Sequence, residues 1–382
     1  MSTSTPNTSN LQAQLADKVL SLFDSVASER AKYYRNNAIP QQHDVRSIIA
    51  QYAHANAAIS GGATLIPGPL GMVATLPELV IIIRNQIAMI YDIGMAYGHG
   101  RVLQRELLAS ILISALGTSS ATLLTMHGGK ILVKRASLRV FQKVIALLAG
   151  KVTQQLLKSM ISKWLPVVGA AAMAAWANYA THRIGKYALA IFEQPIEYET
   201  DVVEDMPDTE VPAASEHNDE LDRLKIQSLI NLMKIDGRMK PEEHEYIQTL
   251  ITQVGFSVEE QAQFQEDIEA GGRHTIDYTA FRSMPDEAVG LLLDLVALSR
   301  RDGQTHISEK LYIKQVGGVL GISESDIDEM MTSEYPRRYQ YLRNGCRRTR
   351  RCSGAAGSER FWCAEAAKRH SRSIERVPSS RR

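Results

Sequence analysis

Asp236-Gly237-Arg238-Met239-Lys240-Pro241-Glu242-Glu243-His244-Glu245-Tyr246-Ile247 returns 66 residues later as Asp302-Gly303-Gln304-Thr305-His306-Ile307-Ser308-Glu309-Lys310-Leu311-Tyr312-Ile313. The copies share the Asp-Gly pair, an acid seven residues after the Asp, and the Tyr-Ile that follows. The match continues without a gap through Leu250, Val254, Gly255, Ser257 and Glu260 in one copy and Val316, Leu320, Gly321, Ser323 and Asp326 in the other. Apolar residues also precede each Asp-Gly, at Leu229, Ile230 and Leu232 and at Leu295, Val296 and Leu298. Apolar positions at helical spacing on both sides of a glycine break predict helix, short acidic loop, helix. The region therefore reads as a helical bundle of two pseudo-repeated halves, with Asp236, Glu243, Asp302 and Glu309 as the candidate site.

An EF-hand loop needs Gly at position 6, a bidentate Glu at position 12 and oxygen ligands at positions 1, 3 and 5. Gly237 and Glu243 fit, but positions 1 and 3 fall on Leu232 and Lys234, and in the second copy on Leu298 and Arg300. Neither loop alone supplies enough oxygen ligands for a hard cation. Two readings stay open on the residues. Either the four acids pool into one divalent-cation site, or each Asp-Gly turns the chain and each Glu caps the next helix, where carboxylates are favoured.

From about Asp219 to Met331 the chain resembles the TerB-type domain, the tellurite-resistance family of all-helical bundles with two pseudo-repeated halves. Asp236, Gly237, Glu243, Asp302, Gly303 and Glu309 match its motif one by one. The resemblance implies an acidic site for a divalent metal cation, with these four acids as ligands. Arg238, Lys240 and His306 stand where the family usually allows further acids.

Charge divides the rest of the chain. Glu193 to Glu220 holds eleven acids, three prolines and no Lys or Arg, which reads as a solvated acidic linker. Arg343 to Arg382 holds twelve Lys or Arg against three acids and all three cysteines (Cys346, Cys352, Cys363). Their spacing lacks a zinc knuckle, and the tail reads as a disordered basic extension without a nucleic-acid platform. The expected organisation is a polar start and amphipathic helix (1–41), an apolar helical domain (42–192), the linker (193–218), the repeat domain (219–331) and the basic tail (332–382).

Within the apolar domain, Ala57 to Gly98 reads as helix, Gly/Pro-rich elbow, helix, because Pro67, Pro69 and Pro77 forbid one continuous helix. Leu107 to Gly129 and Trp164 to His182 carry no Lys, Arg, Asp or Glu, and each approaches the roughly twenty residues of a membrane span. Between them lie Lys130, Lys134, Arg135, Arg139, Lys143, Lys151, Lys158 and Lys163, a set suited to an anionic membrane surface. A soluble bundle with a solvated basic face is the alternative. Tyr52 to Gly98, with Gly61-Gly62, Pro67-Gly68, Leu76-Pro77-Glu78, Arg84, Gln86 and Tyr97-Gly98, resembles the first half of an EcsC-family domain. Leu165-Pro166-Val167-Val168-Gly169-Ala170, Asn178-Tyr179 and Arg183-Ile184-Gly185 resemble its closing segment. That resemblance implies a membrane-linked role but no reaction. Glu78, Arg84, Asn85 and Gln86 place polar groups in an apolar segment and are expected to pair across helices.

No phosphate-binding Gly-rich loop, zincin helix or Gly-x-Ser-x-Gly elbow occurs. His99, His127 and His182 stand alone among apolar neighbours and read as helix-end or packing residues. The expectation is an all-α, non-enzymatic stress-response adaptor, cytoplasmic and held at or in the inner face of the cell membrane. Its repeat domain would take a divalent cation or a protein partner, with no nucleic acid and no small-molecule substrate. The competing expectation is a soluble metal-responsive scaffold.

Overall fold

The computed structural model describes residues 8–60, 76–117, 123–155, 166–205, 219–235, 241–254, 256–270, 272–300 and 305–332. Helices dominate. In the N-terminal half they are α1 (Thr8–Leu20), α2 (Leu22–Asn36), α3 (Val45–Ile59), α4 (Leu76–Ala96), α5 (Arg105–Ala115), α6 (Leu138–Thr153) and α7 (Pro166–Phe192). In the C-terminal half they are α8 (Asp219–Met233), α9 (Pro241–Val254), α10 (Val258–Glu269), α11 (Thr279–Arg282), α12 (Pro285–Ser299), α13 (Ile307–Val319) and α14 (Glu324–Thr332). The basic tail, its cysteines and the Gly/Pro elbow lie outside the described residues.

The N-terminal half is built around α7. Its Ala-rich stretch Ala171–Ala180 is buried throughout, and α7 packs against α3, α4 and α5. Small side chains permit that approach. A Cβ on Gly185 would sit 2.7 Å from Ile49 of α3, so glycine is what lets the two helices touch. Trp176, Phe23 and Phe141 are among the largest fully buried side chains, each worth about 1.5–3 kcal/mol of burial. Phe23 meets Phe141 edge-on at 5.7 Å, fastening α2 to α6.

Polar side chains set the register of these helices. Asn56 (α3) donates to Thr181 Oγ1 of α7 at 3.0 Å, Asn85 (α4) to Asn56 Oδ1 at 2.8 Å, and Gln86 (α4) to Thr181 Oγ1 at 3.2 Å. Arg30 (α2) forks onto buried Asp92 (α4) with two bonds of 2.7 Å, and the Tyr52 hydroxyl (α3) donates to the same carboxylate at 2.9 Å. Arg84 pairs with Glu29. The expectation that Arg84, Asn85 and Gln86 engage other helices therefore holds.

A three-stranded sheet, unexpected from the sequence, joins the helices: β1 (Leu124–His127), β2 (Lys130–Ala136) and β3 (Ile196–Val203), in the order β1-β2-β3. Gly128 and Gly129 both take positive φ (57° and 77°), the backbone of a two-residue hairpin turn, and β1 and β2 are antiparallel. β3 runs parallel to β2, with Ile131 opposite Ile196 and Val133 opposite Tyr198. A parallel neighbour needs a long crossover, and α6 and α7 supply it.

The sheet corrects two expectations. Leu107 to Gly129 is not one long apolar helix: α5 ends at Ala115 and β1 begins at Leu124. The acidic segment after Glu193 is not wholly a tether, because its first part is β3. Trp164 to His182 falls largely within α7. Among the described residues, α4 is the helix long and apolar enough to cross a membrane by length and composition, with a mean hydropathy of 1.4 over a window that is 72% buried in protein.

Candidate functional site

The duplicated motif maps onto the helix pairs α8–α9 and α12–α13. Asp236, Gly237, Asp302 and Gly303 lie in the connections, outside the described residues. Glu243 is the third residue of α9 and Glu309 the third residue of α13, the position from which a capping-box acid reaches back to the residue before the helix. Glu309 does so, its Oε2 accepting from the His306 backbone N–H at 2.6 Å. The side chain of Glu243 lies outside what is described. Among the described residues, no group of three or more His, Cys, Asp and Glu stands close enough to hold a metal ion. The fit of a cation to the four acids is therefore carried by their sequence spacing, and the one described carboxylate has a helix-capping partner.

Two basic residues prove to be part of the duplication. Lys234 and Arg300 each stand two residues before an Asp-Gly, 66 residues apart. The Lys234 ammonium donates to the carbonyls of Asp267 and Ala270, both at 2.5 Å, and of Gly272 at 3.3 Å, closing the C-terminus of α10. The Arg300 guanidinium donates to the carbonyl of Met331 near the C-terminus of α14. The last carbonyls of a helix lack partners within it and carry the negative end of its dipole, which makes a cation their natural cap. Burial lowers the Lys234 ammonium from its ordinary value, and it draws the Arg300 guanidinium down to about 10. The signal was in the sequence, as a basic residue repeated at a fixed offset. An EF-hand alignment files it as a failed ligand.

Close by, Asn231 exchanges two bonds of 2.8 Å with the backbone of His274. The Tyr312 hydroxyl lies 3.2 Å from Tyr278 OH and donates to the Ser228 carbonyl at 3.3 Å. Burial pushes the Tyr312 phenol up, so it serves as a neutral donor. The bundle also carries an internal cation. Lys225, 1% exposed, sits 2.6 Å from Glu287 and 3.2 Å from Asp222, tying α8 to α12. Lys225, Lys234 and Arg300 are thus held in partnered, structural positions.

The C-terminal half also rests on the N-terminal one. α12 and α14 pack against α7. Lys151 (α6) pairs with Asp286 (α12) at 2.5 Å, Gln155 donates to the same carboxylate at 3.1 Å, and Trp176 Nε1 (α7) donates to Gln155 Oε1 at 3.3 Å. Farther along α7, Asn178 donates to the Glu329 carbonyl at 2.6 Å, and Lys186 pairs with Asp326 at 3.1 Å and Glu329 at 2.8 Å. His182 Nδ1 lies 3.8 Å from Glu329. The expectation of an isolated packing role for His182 is refined accordingly: it faces a carboxylate across a joint between the two halves.

Neither a curated protein nor a solved structure matches the chain. A family model described as "Tellurite resistance protein TerB" matches residues 225–332, and that part of the chain, from α8 to the end of α14, is TerB-like.

Proposed function

We propose that the chain is a non-enzymatic stress-response adaptor in which the TerB-like half binds a divalent cation or a protein partner and the N-terminal half is the scaffold that receives the signal. The observation carrying this reading is the seating of α12 and α14 on α7, the helix around which the N-terminal half is built. A change in the TerB-like half has a direct physical route to that core. In this reading Asp236, Glu243, Asp302 and Glu309 are the cation ligands. Calcium, magnesium or manganese added to the full chain should then raise its melting temperature, the stabilisation amounting to about 2.7 kcal/mol at a hundred times the dissociation constant. Substituting Asp236 and Asp302 by Asn should abolish the rise. An unchanged melting curve for the unsubstituted protein returns the acids to helix capping.

The scaffold works folded, without lipid, in the version the geometry favours. α4 buries its apolar faces in protein and ties Asn85, Gln86 and Asp92 to neighbouring helices. Three of the basic residues assigned to a membrane surface already have acids: Lys130 meets Glu197 at 2.6 Å, Lys143 meets Asp205 at 3.4 Å and Lys151 meets Asp286 at 2.5 Å. A second reading keeps the N-terminal half at the membrane, as its EcsC-like motifs imply, and draws on the 21-residue apolar length of α4. Cell fractionation separates the two. Recovery of the full chain in the soluble fraction without detergent sinks the membrane version.

A further inference from the structure

The joint between the halves is built unlike the cores on either side of it. On α7, Asn178, His182 and Lys186 follow one another at i, i+4 and i+8, a single polar stripe on one helix face. Facing them on α14 are Ser325, Asp326 and Glu329. Lys186 reaches all three, at 3.3, 3.1 and 2.8 Å. The participants keep contact with water: the Lys186, Asp326 and Glu329 side chains are 44%, 27% and 18% exposed. Ion pairs of that kind hold weakly. Two buried acceptors at the same place, Asn178 Oδ1 and Glu329 Oε2, have no hydrogen-bond partner among the described residues, and an unmade buried hydrogen bond works against the closed arrangement. Within the TerB-like half, by contrast, α14 is well anchored. Ile327 and Met330 are buried, and a Cβ on Gly317 of α13 would strike Ile327. The polar, partly exposed seam of α14 is therefore the one it shares with α7, whereas Ile327 gives it an apolar contact to α13 of its own bundle.

We propose that the α12–α14 face of the TerB-like half is a helix-docking surface, that α7 is its resident and releasable occupant, and that the partner it fits is a helix with a small-residue face edged by an Asn/His/Lys stripe at four-residue spacing. The acids of α14 select the cationic edge, and the Ala-rich face of α7 shows the side-chain size the surface accepts. Release of the resident helix frees the surface for a partner, so docking in cis keeps the adaptor closed. This rests on the adaptor reading for its purpose only. A failed cation titration would leave the docking result untouched.

Hydrogen exchange on the full-length chain tests it. Lys186→Glu should speed exchange in residues 324–332 by about tenfold, the combined effect of two weak pairs, while peptides from α1 to α6 stay unchanged. Adding Asp326→Lys and Glu329→Lys to Lys186→Glu should return the rates to within about twofold of the starting protein. A synthetic peptide covering residues 174–190, in excess over the Lys186→Glu chain, should restore protection of α14, and the same peptide with His182→Ala and Lys186→Ala should not. Should Lys186→Glu loosen α1 to α6 as well, Asp326→Asn with Glu329→Gln leaves α7 intact and must give the same acceleration. Unaltered α14 exchange in either variant, a charge swap that restores nothing, or a peptide without effect overturns the proposal.

Discussion

Replacing Lys225 with Met should be among the most damaging single changes in the TerB-like half. The side chain is 1% exposed and its ammonium serves Asp222 at 3.2 Å and Glu287 at 2.6 Å, which are themselves 9% and 14% exposed. Methionine fills a similar volume, so the loss is electrostatic: two carboxylates stay buried with their counter-ion gone. Breaking a buried pair by removing one partner costs about 3–5 kcal/mol. Exchange of the protected amides of α8 and α12 should accelerate by roughly 10²- to several times 10³-fold, at about 1.4 kcal/mol per factor of ten. The pH dependence gives a second check. Burial works against the Lys225 charge, but Glu287 and Asp222 outweigh it and raise the ammonium above its ordinary value. Its contribution is therefore complete at neutral pH and fades only as the solution rises through that elevated value. The Met variant has no such group, so the gap between the two proteins should stay constant from about pH 7 to 9. Exchange of both proteins, compared at each pH, measures the difference. An acceleration below about fivefold, or a gap that closes within that range, would refute the assignment of Lys225 as the internal counter-ion.

Asp92→Ala removes the acceptor shared by Arg30 and Tyr52 and should cost about 2–4 kcal/mol by urea titration followed by circular dichroism, somewhat less than a fully buried pair because Arg30 retains access to water. Combining Arg30→Met with Asp92→Leu should recover at least half of that, and a double variant no better than the single one would contradict the clasp. Gly185→Val drives a branched side chain into Ile49 and should cost about 1–3 kcal/mol. Ile49→Ala in the same chain should relieve part of the loss if close approach of α3 to α7 is the cause, and add to it otherwise.

The helix pairs of the repeat were legible because period and punctuation agreed: Leu229, Ile230 and Leu232 before one Asp-Gly, Tyr246, Ile247 and Leu250 after it, and the same again 66 residues on. The sheet was not. Lys130, Lys134 and Arg135 make β2 look like the polar face of a helix, yet Ile131 and Val133 alternate inward at period two and the adjacent Gly128-Gly129 is a hairpin signature. β3 was hidden for a different reason. Ile196-Glu197-Tyr198-Glu199-Thr200-Asp201 reads as a solvated acidic stretch on its own terms, and only its pairing with β2, some 65 residues earlier in the chain, gives it a partner. At the site, Glu309 follows the helix-start rule, whereas Lys234 and Arg300 stand at position 3 of an EF-hand register, where only an oxygen ligand would have meaning, and serve instead as caps of other helices.

Those misreadings share one physical cause, and it bears on how the chain works. The basic residues from Lys130 to Lys163 were expected at a membrane surface and the acids from Glu193 to Glu220 in bulk water. In the folded chain, cations of the first half meet acids that come later in the sequence: Lys130 with Glu197, Lys143 with Asp205, Lys151 with Asp286, and, outside both sets, Lys186 with Asp326 and Glu329. Each of these pairs joins a cation before residue 187 to an acid after residue 193, so the charge asymmetry along the sequence works as an instruction for folding the second half back onto the first. Apolar burial cannot supply that instruction, because Ala-rich α7 offers little shape to distinguish one neighbour from another. Charge can, and at the partly exposed pairs of Lys186 it does so reversibly, since such pairs hold loosely and yield to a better-matched competitor. A chain meant to be permanently closed would have buried that seam in leucine; this one keeps it wet and ionic where α14 meets α7.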